Sequence, residues 1–256
     1  MSENRGRFSW YELMTTDVDA AIDFYLGIAD WGTTVWDEMP DYRMLTVGEA
    51  PVAGVMKLPD EAAAHGAPPH WLGYVHTPDI DATAAQAADL GANILARIDL
   101  PQVGRLAIIS DPQAAVIAAF QPADEPGVEP ATAPGRISWN ELYTDDYEAA
   151  FAFYQALFGW EAMEDMDMGE AGIYRMYGRN GRTLGGMMNR PAEVPCCWLY
   201  YVNVADLDAA VAAVEAGGGT MFRGPMDVPG GDRVAHATDP QGGMFALHWS
   251  NPQATS

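Results

Sequence analysis

From Phe8 to Met14 the chain reads FSWYELM, a run dense in aromatic and aliphatic residues that predicts a strand. Asp17 then opens a stretch with Ala20, Ala21, Phe24 and Tyr25 at helical spacing. Asp17 suits the N-cap of that helix, and Gly27 or Gly32 is expected to end it. Three short strands are predicted near 33–38, 41–47 and 52–57, separated by Pro40 and by the stretch from Gly48 to Pro51. Residues 59–69 hold three prolines and a glycine and read as a loop. A strand follows at 70–77, and Asp79 starts an Ala-rich helix that stops at Gly91. Further strands fall near 93–97, 104–110 and 115–120, with Asp111-Pro112-Gln113 as the turn between the last two. The order is βαβββ, then βαβββ again.

The whole pattern then recurs. Residues 6–25 (GRFSWYELMTTDVDAAIDFY) and 135–154 (GRISWNELYTDDYEAAFAFY) agree at 12 of 20 positions. Trp71-Leu72-Gly73-Tyr74-Val75 is answered by Trp198-Leu199-Tyr200-Tyr201-Val202, and Asp111-Pro112-Gln113 by Asp239-Pro240-Gln241. A period of 129 residues is too long for a solenoid repeat and marks a duplicated module. The expected bounds are 1–121 for the first copy and 135–256 for the second, with a stiff Pro-rich linker over 122–134. The chain then holds four βαβββ units.

Composition narrows the function. The formal net charge is −23, which argues against nucleic acid and anionic membrane as partners. No apolar run is long enough to span a bilayer, and the N-terminus lacks a signal-peptide pattern, so a soluble cytoplasmic protein is expected. The one lysine, Lys57, has no context suited to Schiff-base chemistry. Cys196 and Cys197 are adjacent, which disfavours a structural disulfide, and neither fits a zinc pattern. Gly217-Gly218-Gly219 follows a predicted helix and reads as its C-cap rather than a phosphate loop.

Several residues carry chemistry. Glu12 and Glu141 each lie two residues after a tryptophan, on the same strand face as Trp10 and Trp139. A carboxylate there acts either as a general base or as a structural anchor, for which Arg105 and Arg233 are the candidate partners. His248 sits on the last strand where the first copy has Phe120, and this asymmetry makes it a third acid/base candidate. Alternation makes Tyr143 and Tyr200 candidate pocket residues. Met44, Met56, Met163, Met176, Met187 and Met188 add adaptable apolar surface on or near predicted strands.

The phrases Phe24-Tyr25 … Trp31 and Phe153-Tyr154-Gln155-Ala156-Leu157-Phe158-Gly159-Trp160 carry a resemblance. So do Asp79-Ile80-Asp81, Asp206-Leu207-Asp208 and the two Asp-Pro-Gln turns, all in this order. Together they resemble the vicinal oxygen chelate superfamily of glyoxalases, extradiol dioxygenases and bleomycin-binding proteins, in its tandem two-module form. The resemblance implies an α+β fold of two glyoxalase-like modules. Each would pair two βαβββ units in a cup-shaped mixed or antiparallel sheet around a pocket. Enzymes of that superfamily hold a divalent metal with His and Glu. The first ligand position, fifteen residues before the FY tyrosine, is Trp10 and Trp139 here. The last-strand position is Ala118 and Ala246, the fifth-strand position falls near Gly73 and Tyr200, and the fourth lies near Gly54 and Gly186. No metal and no cofactor are therefore expected. An apolar pocket lined by Trp10, Trp139, Tyr143, Tyr200, Ala118 and Ala246 suits a hydrophobic or aromatic small molecule. The expected function is metal-independent binding of such a compound. The alternatives are a metal-independent enzyme using Glu12, Glu141 or His248, and a metal-dependent glyoxalase or dioxygenase. Homodimerisation is left open.

Overall fold

The structure is a computed structural model that describes residues 4–36, 38–124 and 133–253. The expected linker at 122–134 lies mostly outside the described residues. In the first copy, β1 (Phe8–Thr15), α1 (Val18–Ile28), β2 (Gly32–Trp36), β3 (Met39–Val47) and β4 (Ala50–Lys57) make one βαβββ unit. A short helix α2 (Asp60–Ala64) leads to the second unit: β5 (His70–His76), α3 (Ile80–Asp89), β6 (Asn93–Leu100), β7 (Gly104–Ser110) and β8 (Val116–Pro122). The second copy repeats this with β9 (Ile137–Thr144), α4 (Tyr147–Phe158), β10 (Glu161–Asp167), β11 (Ile173–Arg179) and β12 (Arg182–Asn189). It ends with β13 (Cys197–Asn203), α5 (Leu207–Ala216), β14 (Thr220–Asp227), β15 (Arg233–Thr238) and β16 (Met244–Trp249).

The strands form two eight-stranded mixed sheets, ordered β2-β3-β4-β1-β5-β8-β7-β6 and β10-β11-β12-β9-β13-β16-β15-β14. The first and last strands of each unit pair in parallel, as in Glu12 opposite Gly54 and Tyr74 opposite Ala118, and the hairpins between them are antiparallel. The fold is α+β, as the order of elements predicts. No helix among the described residues is long and apolar enough to cross a membrane.

Local chemistry sets the helix boundaries. Asp17, Asp79, Asp146 and Asp206 each accept a hydrogen bond from a backbone N–H in the first turn of the helix that follows. Gly217 caps α5. Two details differ from the sequence pattern. Helix α1 runs through Gly27 to Ile28, because buried Tyr25 and Ile28 keep its packed face going past the glycine. The expected loop 59–69 contains α2, where Pro59 precedes Asp60 and Glu61 and an alanine run completes the turn.

The chain divides into two compact units, and each draws on both copies. One contains β5–β8 with α3 and β9–β12 with α4; the other contains β1–β4 with α1 and β13–β16 with α5. The first few residues of β1, β5, β9 and β13 belong to the opposite unit. The repeated sequence landmarks hold each unit together. In one, Tyr25 donates its hydroxyl hydrogen to Asp239 Oδ2 at 3.0 Å, and Trp71 Nε1 donates to the Tyr25 oxygen at 2.8 Å. In the other, Tyr154 donates to Asp111 Oδ2 at 2.8 Å, and Trp198 Nε1 to the Tyr154 oxygen at 3.2 Å. The remaining oxygen of each aspartate accepts two backbone N–H groups, from Gln113 and Ala115 or from Gln241 and Gly243. Trp31 Nε1 donates to the Gly135 carbonyl, and Trp160 Nε1 to the Gly6 carbonyl, both at 2.7 Å. The two tyrosine–aspartate bonds and the two tryptophan–glycine bonds each join one copy to the other. They satisfy polar atoms that burial would otherwise leave costly.

Burial raises the carboxyl pKa of both Asp111 and Asp239 against the lowering pull of these hydrogen bonds. Burial first, then the Asp239 charge, pushes the Tyr25 hydroxyl well above its usual range, so it remains a donor. Tyr25→Phe strands the Asp239 oxygen and the Trp71 indole N–H together. It is expected to lose roughly 2–4 kcal/mol in urea unfolding, and Tyr154→Phe a similar amount. A carboxyl whose pKa is raised by folding contributes stability that is fully present below the ordinary aspartate pKa and is lost as pH rises through the raised one. Compared with the non-titrating Asp239→Asn, the wild type should therefore gain stability as the pH falls from neutral through that window. Urea midpoints at several pH values check the sign, and a relative loss on acidification contradicts it.

Candidate functional site

The two glutamates singled out by sequence are both buried, with 5% exposure each. Glu12 on β1 stands opposite Gly54 on β4, and Glu141 on β9 opposite Gly186 on β12. Both glycines are needed for close approach. A Cβ at Gly54 would run into the Tyr42 hydroxyl, and one at Gly186 into the Tyr174 ring. Each ring therefore lies against bare backbone, and its hydroxyl reaches the neighbouring glutamate. Tyr42 donates to Glu12 Oε2 at 2.9 Å, and Tyr174 to Glu141 Oε2 at 2.9 Å. In the second copy Trp139 Nε1 adds a 2.7 Å bond to the Tyr174 oxygen. The order tryptophan to tyrosine to glutamate forms a short chain of donors ending on a carboxylate.

Electrostatics fixes the protons in this cluster. Burial, then the Glu141 charge, drives the Tyr174 hydroxyl well above its usual pKa, so the phenol donates and the carboxylate accepts. Burial, helped by Glu141 and Cys196, pushes the neighbouring Cys197 thiol up to about 12, so it stays a protonated, weakly nucleophilic thiol near neutral pH. Arg105 and Arg233 are placed elsewhere than expected. Arg105 binds Asp81 and Asp99, and Arg233 pairs with Asp208 and Asp227. Both arginines stand at the surface, where a guanidinium keeps its hydration, and tyrosine hydroxyls serve the buried carboxylates instead.

The other candidates spread over the strands. Trp139 is half-buried, and Tyr143, two residues beyond Glu141 on the same strand face, is 2% exposed. Trp10 is half-buried on β1. Tyr200 is buried, with its ring 5.3 Å from that of Tyr11. Ala118 and Ala246 are fully buried, opposite Tyr74 and Tyr201 respectively. His248 belongs to a chain of its own: Nδ1 lies 2.7 Å from Ser138 Oγ and Nε2 2.9 Å from Asp232 Oδ2. The sequence pattern did not point to Tyr42, Tyr174, Ser138 or Asp232, and it offered Tyr201 and His236 only singly, not as the buried pair they form. For the tyrosines the available signal was the glycine opposite each glutamate, since a strand glycine marks a close approach.

The superfamily resemblance implies a divalent metal, and the residues present do not fit one. Indole, methyl and hydrogen stand at the expected positions, and tyrosine rings fill the space over Gly54 and Gly186. Among the described residues no three of His, Cys, Asp or Glu converge as a cation cage. A surface groove of about 290 Å³ lies away from these residues, against α1, with Asp19, Asp23 and Arg43 on its walls. It is open and charged, which does not suit an apolar ligand.

Residues 134–247 match the model of the Glyoxalase/Bleomycin resistance protein/Dioxygenase superfamily. The chain is 32% identical over 257 residues to the Mycobacterium tuberculosis protein named "Putative glyoxylase CFP32", covering 97% of each. It is 30% identical to the anthracycline biosynthesis protein DnrV of Streptomyces peucetius, covering 94% of this chain and 92% of that one. Among solved structures, the 2,3-dioxygenase LapB from Pseudomonas sp. KL28 aligns with a TM-score of 0.65 at 12% identity, over 98% of this chain and 96% of that one, a likeness of fold. With two tandem modules, four βαβββ units and relatives matched over nearly their whole length, the chain belongs to the glyoxalase/bleomycin resistance/dioxygenase superfamily.

Proposed function

We propose that this protein is a metal-independent small-molecule-binding member of its superfamily, and that its ligand is a hydrophobic, flat aromatic compound. The observation that carries this reading is the tyrosine–glutamate pair in each copy, seated beside Gly54 and Gly186, near which the resemblance puts a metal ligand. A carboxylate already engaged by a phenol has its charge anchored, and the tryptophan beside it offers an aromatic face for stacking. Met188 on β12, opposite Tyr143 and on the same strand face as Gly186, is buried and adds adaptable apolar surface. The name of DnrV, an anthracycline biosynthesis protein, supports a polycyclic aromatic as the ligand class. A second reading, a metal-independent enzyme on the same scaffold, draws on the Ser138–His248–Asp232 chain. There a hydroxyl, an imidazole and an orienting carboxylate stand within hydrogen-bond reach.

Titration with flat polycyclic compounds should quench tryptophan fluorescence, and Trp139→Ala should remove part of that signal and weaken binding. Unchanged affinity in both Trp10→Ala and Trp139→Ala would place the ligand elsewhere. Tyr174→Phe removes the partner of both Glu141 and Trp139, and should lower stability by roughly 2–3 kcal/mol in urea unfolding.

Glu141→Gln and His248→Ala separate the two readings. Under binding alone, both variants should keep ligand affinity within a few-fold of wild type. A variant that folds and binds normally but loses about 10²–10⁴-fold in turnover of a candidate substrate establishes the enzyme reading instead.

A further inference from the structure

We infer that the two copies have divided the work of recognition, and that β13–β16 of the second copy read a hydroxyl or carbonyl on the edge of an aromatic ligand through Tyr201 and His236, beneath Phe222. This rests on the aromatic-ligand reading above and adds to it which half-sheet is selective and for what group.

The pair is built by register. Tyr201 on β13 stands opposite Ala246 on β16, and His236 on β15 stands opposite the same alanine. Side chains that neighbour each other in this way rise from one face of the sheet. Because the residue between them is only a methyl, the phenol and the imidazole meet across it, with Tyr201 Oη 2.9 Å from His236 Nε2 and the rings nearly perpendicular. Both residues are buried. The opposite face of the same strands carries Phe245 and Leu247, also buried, and Phe245 packs on Phe24 and Tyr25 of α1. The tyrosine–histidine pair is therefore on the face turned away from that helix. At its margin, the Phe222 ring on β14 comes within 5.7 Å of the imidazole while 41% of the residue stays exposed.

The first copy is the internal control. Its corresponding row is Tyr74, Ala118 and Ile108, with Ala118 in the same register between the other two. The phenol and the alanine are kept, and an isoleucine fills the place of the imidazole. Phe120, in place of His248, lies 5.9 Å from the Tyr74 ring. Packing of this row is thus achieved without a histidine. Burying an imidazole costs desolvation that an isoleucine does not incur, so His236 answers a need other than filling space. A hydrogen-bonded phenol and imidazole can present either a donor or an acceptor, depending on which atom holds the shared proton. That versatility suits a phenolic hydroxyl or a quinone-type carbonyl. An exposed phenylalanine at the margin suits the ring that bears it.

The test compares two probes, 1,8-dihydroxyanthraquinone and anthracene, by fluorescence titration of the full-length protein. The wild type should bind the hydroxyanthraquinone more tightly. Tyr201→Phe should weaken that probe about tenfold and leave anthracene within about twofold, as expected for one lost polar contact. Phe222→Ala should weaken both probes. Tyr74→Phe, the same change in the first copy, should alter neither. A preference for the hydroxyanthraquinone that survives Tyr201→Phe, or an equal effect of Tyr74→Phe, overturns this inference while leaving the ligand class intact. Failure of the wild type to bind either probe overturns the ligand class itself. Should Tyr201→Phe not fold, the wild-type complex gives a second readout. The visible absorption band of the hydroxyanthraquinone should shift on binding, and an unshifted band at full occupancy also overturns the inference.

Discussion

Everything else in the molecule depends on a buried tyrosine that crosses from one copy of the repeat to an aspartate in the other. Tyr25 and Tyr154 each sit on the inner face of a first helix, accept an indole N–H, and donate to a carboxylate that closes the last hairpin of the opposite copy. The carboxylate is buried, so it relies on that hydroxyl and two backbone N–H groups. The tryptophans that bond the Gly6 and Gly135 carbonyls reinforce the same crossing. The duplicated sequence is therefore not a pair of independent beads. Each compact unit is a composite, and the phrases that make the repeat recognisable are those that weld it.

The tyrosine–glutamate clusters fill the strand-lined space near the positions where the superfamily resemblance implies metal ligands. Removing ligands from such a site leaves a buried space lined by strands. Here the space over Gly54 and Gly186 is taken by phenol rings, and the remaining carboxylates are held by hydroxyls. Each buried glutamate accepts a phenol hydrogen bond from within its own copy. The same solution occurs twice, which marks it as a property of the scaffold. The copies differ in this region where His236 stands for Ile108 and His248 for Phe120.

The sequence made the fold legible because its signals are local. Aspartate caps, alternating strands, Asp-Pro turns and the 129-residue offset each act over a few residues or repeat visibly, and the βαβββ order follows from them. Glu12, Glu141 and His248 stood out for the same reason, by alternation and by mismatch between copies. Their partners did not. Tyr42 is 30 residues from Glu12 and Ser138 is 110 from His248, and no spacing rule connects residues brought together by sheet register. Arginine was the natural electrostatic guess for the glutamates. The guanidinium groups stay hydrated at the surface and phenols do the buried work, a choice that depends on desolvation and so on the folded geometry.

The two tyrosine–aspartate ties are chemically alike but differ greatly in the length of chain they close. Tyr154 and Asp111 are 43 residues apart, whereas Tyr25 and Asp239 are 214 apart. By loop-closure entropy alone, the longer tie is about 1.4 kcal/mol harder to form in an unfolded chain. On a ribosome the difference is one of timing. The unit around Tyr154 is complete once β12 and the start of β13, with Trp198, have emerged, while Tyr25 and the inner face of α1 must wait for β13–β16 at the far end. Until the last strands arrive, an aromatic surface meant for the interior stays uncovered. The order of synthesis thus makes the N-terminal βαβββ unit the part of this chain most exposed to misassociation before the fold closes.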